Sequence, residues 1–84
     1  MMTREEIYAQ IRATLLESFE IPEERATLEA RLMDDLGLDS IDAIDMAVQL
    51  QKITNVRLEE DELRALRTVG DTVELVAQLV ARQS

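Results

Sequence analysis

Asp34-Asp35-Leu36-Gly37-Leu38-Asp39-Ser40-Ile41-Asp42-Ala43-Ile44-Asp45 is the stretch on which the reading of this chain turns. Gly37 offers a point where the backbone can turn sharply with positive φ at low cost. Asp39 has the short acceptor side chain of a helix cap, and Ser40 then opens a helix predicted to run to about Thr54. At about 100° per residue, Asp42, Asp45, Gln49 and Lys52 fall in one narrow polar arc. Ala43, Ile44, Met46, Ala47, Leu50 and Ile53 cover most of the remainder. Ile41 and Val48 border the polar arc and are expected to be partly exposed, beside carboxylates. That mixture is commoner at a protein contact than on an idle surface.

Outward from this helix, the chain supplies three more. Thr3-x-x-Glu6 is a capping box, and Ile7, Ile11, Leu15 and Phe19 follow at a spacing of four as one apolar stripe. Pro22 ends that helix or lies just beyond it. Residues 20 to 38 form a long connection, but Leu28, Leu32, Met33, Leu36 and Leu38 are too apolar for a solvated loop and should pack across the bundle. A short third helix is expected near Glu59 to Leu66, although Arg57-Leu-Glu-Glu-Asp-Glu-Leu is also compatible with an irregular segment. Thr68-x-x-Asp71 is a second capping signal, and Val69, Val73, Val76 and Val80 give the last helix its apolar stripe. Nothing alternates with period two for long enough to suggest a sheet. The expectation is all-α: one domain over residues 1–84, a four-helix bundle with a short third helix and a long loop between helices one and two.

Composition narrows the chemistry. The 84 residues include no cysteine and no histidine, which excludes a disulfide framework, a Cys/His metal site and the usual nucleophile–base pairs. Tyr8 and Phe19 are the only aromatic residues, so the core must be aliphatic. The net charge is −9, and the segment from Asp34 to Glu62 holds nine acids against Lys52 and Arg57, or −7 of that total. So acidic a chain is repelled by nucleic acid and anionic membranes and attracted to basic protein surfaces. No apolar run approaches the roughly 20 residues that span a bilayer. The start, MMTREEIYAQ, turns polar at once and does not read as a signal peptide, so a cytoplasmic protein is expected.

Composition does not exclude carboxylate chemistry, but Ser40 is the residue in this pattern that invites modification. A hydroxyl in the first turn of a helix is reachable by a modifying enzyme, and a phosphodiester there sits beside unpaired backbone N–H groups and the positive end of the helix dipole. Local physics leaves open that Ser40 is merely a cap-region residue. As a catalytic serine it lacks a base: Lys52, the only lysine, is twelve residues on, about 18 Å along the helix. Asp39, Asp42 and Asp45 invite a calcium reading, but an EF-hand loop needs alternating ligands, a glycine at its sixth position and a glutamate at its twelfth. Neither is present.

The run Asp35-Leu36-Gly37-Leu38-Asp39-Ser40-Ile41-Asp42 resembles the phosphopantetheine attachment motif of acyl carrier proteins, D-L-G-x-D-S-L, with isoleucine in place of its leucine. Length, acidity, helix order and the Thr68-Val69 entry to the last helix extend the likeness over nearly the whole chain. The resemblance implies a carrier with no catalytic activity of its own. In it 4'-phosphopantetheine from coenzyme A is attached to Ser40, next to Asp39, and holds acyl groups as thioesters. It implies an acyl pocket lined by Leu32, Met33, Met46, Leu50, Leu66 and Val69, although core packing alone also explains these positions. It implies docking through Ile41, Asp42, Asp45 and Val48, with Glu60 nearby. The partners would be a phosphopantetheinyl transferase, ketosynthase, ketoreductase, dehydratase and acyl-loading enzymes with basic patches, meeting a monomeric carrier.

One departure concerns the pathway. Many fatty-acid carriers place glutamates near the end of helix two, where this chain has Gln49, Gln51 and Lys52. Leu50-Gln-Lys-Ile-Thr, followed by Leu66-Arg-Thr-Val-Gly-Asp, is similar to carriers of specialised type II pathways such as those making aryl polyenes. A peptidyl carrier shares the arm but loads amino acids, and a helical adaptor would carry no prosthetic group. Acidity and the second-helix pattern favour acyl over aminoacyl cargo, and the intact mass of protein coexpressed with a transferase separates the adaptor from both carriers.

Overall fold

Thr3 starts the first element as its capping box predicts. Its Oγ1 accepts from the Glu6 backbone N–H at 3.1 Å, and Glu6 Oε1 accepts from the Thr3 N–H at 3.1 Å. The computed structural model describes residues 2–83. Four helices run through it: α1 (Arg4–Phe19), α2 (Ser40–Thr54), α3 (Glu60–Arg64) and α4 (Val69–Gln83). A single 3₁₀ turn, Glu23–Arg25, interrupts the α1–α2 connection. Among the described residues no strand forms, and the only sheet-like pairing is the isolated bridge between Arg31 and Thr68. The expected all-α bundle is the observed one.

α1 packs against both α4 and α2, and α2 touches α3. Ile7, Ile11 and Leu15 of the α1 stripe are fully buried, as are Val69 and Val76 of α4 and Met46 and Leu50 of α2. Phe19 and Val80 are only partly buried against this core. Pro22 does not itself stop α1. The helix ends at Phe19, where Glu20 takes a left-handed backbone with φ 57° and the N–H of Ile21 bonds back to the Leu15 carbonyl at 3.1 Å. Pro22 then caps the 3₁₀ turn. Asn55, at φ 58°, closes α2 with the same left-handed backbone, its N–H on the Gln51 carbonyl at 2.8 Å. Such ends favour glycine but admit asparagine. Glu20 gave no such signal, so the stop at Phe19 was not legible.

The long connection is held by backbone pairing rather than by side chains alone. Leu32 N–H donates to the Arg67 carbonyl at 2.8 Å, Val69 N–H to Ala30 at 3.0 Å and Gly70 N–H to Leu28 at 2.8 Å. These bonds bind it to the α3–α4 linker at Arg67 and to the first turn of α4. A Cβ on Gly70 would sit 3.0 Å from the Leu28 carbonyl oxygen, which is why this helical position suits glycine. Leu32, Leu36 and Leu38 are buried as expected, whereas Leu28 and Met33 stay exposed. Ile44 and Ile53, read as part of α2's apolar face, are also exposed. That face is wider than α1 and α3 together cover.

The caps make a pH prediction. Accepting from the Thr3 backbone N–H, and then the Thr3 hydroxyl contact, holds the Glu6 carboxyl below its usual range. A depressed folded-state pKa stabilises the fold above the unfolded value, and that contribution is lost as pH falls through the folded one. Glu6→Gln keeps a capping side chain without the charge. Its Tm is expected to be lower than the wild type's near pH 7, with the gap closing as pH falls below about 4, the ordinary glutamate range. Thermal melts of both proteins across pH check this, and a gap independent of pH refutes it.

Candidate functional site

Gly37 takes φ 70°, the left-handed turn expected of it, and its N–H bonds to the Met33 carbonyl at 3.1 Å. Leu38 follows with its N–H on the Leu32 carbonyl at 2.9 Å and its side chain buried, which aims the chain into α2. Asp39 caps that helix: its Oδ1 accepts from the Asp42 N–H at 2.8 Å, and Asp42 Oδ2 accepts from the Asp39 N–H at 3.3 Å. Ser40 is thereby fixed as the first helical residue, and its side chain is exposed. The N–H groups of Ser40 and Ile41 have no acceptor within the helix at these positions, so both are available to an anion on the Ser40 hydroxyl.

Beside Ser40 lies a cleft of about 410 Å³ between α2, α3 and the turn before α2. Leu32, Met33 and Leu66, expected in a pocket, line it. Met46, Leu50 and Val69 do not; they are fully buried in the core. Leu38, Ala43, Ile44, Leu63 and Arg64 complete the lining with Asp39 and Glu60. The sequence held a signal for two of these, because Ala43 and Ile44 lie three and four residues after Ser40 and so share its face. Nothing in the pattern of α3 marked Leu63 or Arg64.

The docking candidates separate into two kinds. Ile41 is 76% exposed, Val48 and Asp45 are also exposed, and all three stand on the outer surface of α2. Asp42 is not free to face out as expected: it is half-buried and its carboxylate closes the capping box. Asp45 has only a 3.5 Å contact from Gln49 Nε2. Glu60 is exposed and pairs with Arg64 Nη2 at 2.7 Å. No group of three or more Asp, Glu, His or Cys among the described residues could hold a metal ion.

The phosphopantetheine attachment site family matches residues 9–76. Acyl carrier protein 2 of Ralstonia nicotianae is 45% identical over 80 residues, covering 95% of this chain and 99% of its own. The acyl carrier protein of Saccharopolyspora erythraea is 41% identical over 81 residues, covering 96% and 85%. The crystal structure of the Thermotoga maritima acyl carrier protein superposes with a TM-score of 0.86 at 25% identity, covering 96% of this chain and 94% of that one. The fold and the exposed helix-start serine thus define a carrier domain. This chain belongs to the acyl carrier protein family, whose members carry covalent 4'-phosphopantetheine and have no catalytic activity of their own. The residues present fit that group: an exposed hydroxyl, two unpaired N–H donors beside it, and a largely apolar cleft at its side.

The two helix-start carboxylates should differ from Asp45 in stability. Asp39→Ala is expected to cost about 1 kcal/mol, roughly 4–8 °C in Tm. Asp45→Ala, which leaves every cap intact, should stay within about 0.5 kcal/mol. Asp42→Ala, losing one longer bond, falls between them. Denaturant titrations of the three variants test the order, and equal losses at Asp39 and Asp45 would remove the capping box from the account.

Proposed function

We infer that Ser40 carries the 4'-phosphopantetheine arm and that the chain serves a type II fatty-acid or polyketide pathway as a free-standing, monomeric, cytoplasmic acyl carrier of one domain. The observation that carries this reading is the exposed Ser40 hydroxyl at the first position of α2, at the mouth of the 410 Å³ cleft. When bound, the arm supplies the thiol that this cysteine-free chain lacks and on which acyl groups are held as thioesters. In the attachment step the Ser40 Oγ–P bond forms, the pyrophosphate bond of coenzyme A breaks, and its nucleotide half leaves. The Ser40 proton passes to a base of the transferase, since no histidine or lysine of this chain lies beside it. Tethering then raises the effective concentration of cargo at each partner active site.

Asp45, Ile41 and Val48 are the side chains best placed to meet basic partners, with Glu60 across the cleft and Asp42 contributing field more than a free carboxylate. The stretch Gln49, Gln51 and Lys52, where many fatty-acid carriers have glutamates, favours a specialised pathway such as one making aryl polyenes.

Incubation with coenzyme A and a phosphopantetheinyl transferase should add one phosphopantetheine mass to the wild type and none to Ser40→Ala. Persistent modification of the alanine variant removes the assignment. The docking face has its own test. Asp45→Lys should lower transferase or ketosynthase kcat/KM several-fold, mainly through association rate, with the deficit shrinking at high salt. Glu5→Lys, an equal charge change on α1, should have a much smaller effect. Equal losses in the two variants would leave the acidic face with only a general role in solubility.

A further inference from the structure

The cleft beside Ser40 has charged groups on two sides. Asp39 stands at the start of α2, and Glu60 and Arg64 stand on α3. Arg64 is the sole cation in that lining, in a chain of net charge −9. An arm on Ser40 places a phosphodiester there, adding a negative charge next to Asp39 and Asp42 and about 1.4 turns from Asp45. The two N–H donors at the helix start offset part of that charge. They do not remove the repulsion from three nearby carboxylates.

Arg64 is held loosely enough to do so. Its Nη2 meets Glu60 Oε1 at 2.7 Å, four residues apart on α3, with side chains 75% and 66% exposed. Pairs of this kind contribute little, so diverting a guanidinium from one costs little. A guanidinium also carries five donors in a planar fork, which lets it keep one carboxylate contact while binding a phosphate oxygen. Lysine, a point charge, would have to choose.

Building on the Ser40 assignment, we propose that Arg64 is the counter-cation of the arm's phosphodiester. It draws the root of the arm toward α3 and so sets it at the cleft rather than out in solvent. Glu60 then acts as the orienting group that keeps Arg64 at the rim before modification. Arg64 is a positioning residue for the arm and takes no part in chemistry.

The test uses wild type, Arg64→Gln and Arg57→Gln, each in unmodified and modified form, with intact mass showing one arm and a Ser40→Ala control showing none. Arg57 is an apt comparison because it too pairs with a neighbouring acid, Glu59 at 3.3 Å, but lies outside the cleft. On modification the Arg64 Nε–H resonance should move while that of Arg57 stays, and the ³¹P resonance of the arm should differ between Arg64→Gln and the other two proteins. Modification should lower Tm by roughly 2–4 °C more in Arg64→Gln than in Arg57→Gln at low salt, with the excess lost in high salt. If mass places the arm on Ser40 but the Arg64 and ³¹P resonances are indifferent, the counter-cation role is overturned and the attachment site stands. If mass shows no arm on Ser40, both fail together.

Discussion

The short backbone pairing between the α1–α2 connection and the chain entering α4 is the constraint on which the site depends. Three hydrogen bonds, from Leu32, Val69 and Gly70, bind the connection to a distant stretch made of the α3–α4 linker at Arg67 and the first residues of α4. A connection this long, crossing a bundle of only four helices, would otherwise carry backbone groups that water or side chains had to satisfy. With Leu32 fixed, the Leu38 N–H reaches the Leu32 carbonyl, the turn at Gly37 follows, and Asp39 arrives at the start of α2. The same pairing places Leu66 and the end of α3 opposite that start. The cleft beside Ser40 is the gap left between two segments held together at their far side.

The core and the charge pull in different directions, and α2 is where they meet. Ile7, Ile11, Leu15, Met46, Leu50, Val69 and Val76 are fully buried without an aromatic ring among them. Such a core is built from side chains that shift at modest cost, methionine most of all. Against it stands an acidic segment whose mutual repulsion burial must outweigh. The resolution on α2 is a helix whose inner face is dry and whose flanks keep Ile41, Ile44 and Val48 in water beside carboxylates. Exposed apolar groups rimmed by charge mark interaction sites on soluble proteins.

What the sequence made legible was what local physics decides. Both capping boxes around Thr3 and Thr68, the Asp39 cap, the span of α2 and the turn at Gly37 each depend on residues within a few positions of one another, and each is present in the structure. What stayed hidden depends on distant partners. The stop of α1 at Glu20, the stitching of Ala30 to Val69 and the placement of Leu63 and Arg64 around Ser40 follow from how helices pack. Val69 and Leu50 illustrate the limit well. A position on the apolar face of a helix can line a cleft or close the core, and only the depth of the neighbouring helix decides which.

Asp42 ties the helix start to the docking face proposed for α2. Its carboxylate accepts from the Asp39 backbone N–H, so a basic partner that claims it also loosens the turn that holds Ser40. Asp45, one turn further on, carries no such duty. The charged pairs on the surface, Arg4–Glu74, Arg31–Asp34, Arg57–Glu59 and Arg64–Glu60, are all solvated and individually weak. A carrier must be taken up and released by one enzyme after another, and association steered by an exposed field with little buried contact gives fast encounter without slow release. On the proposed docking reading, the acidic face serves turnover best where its carboxylates are free of structural work, which favours Asp45 over the capping Asp42.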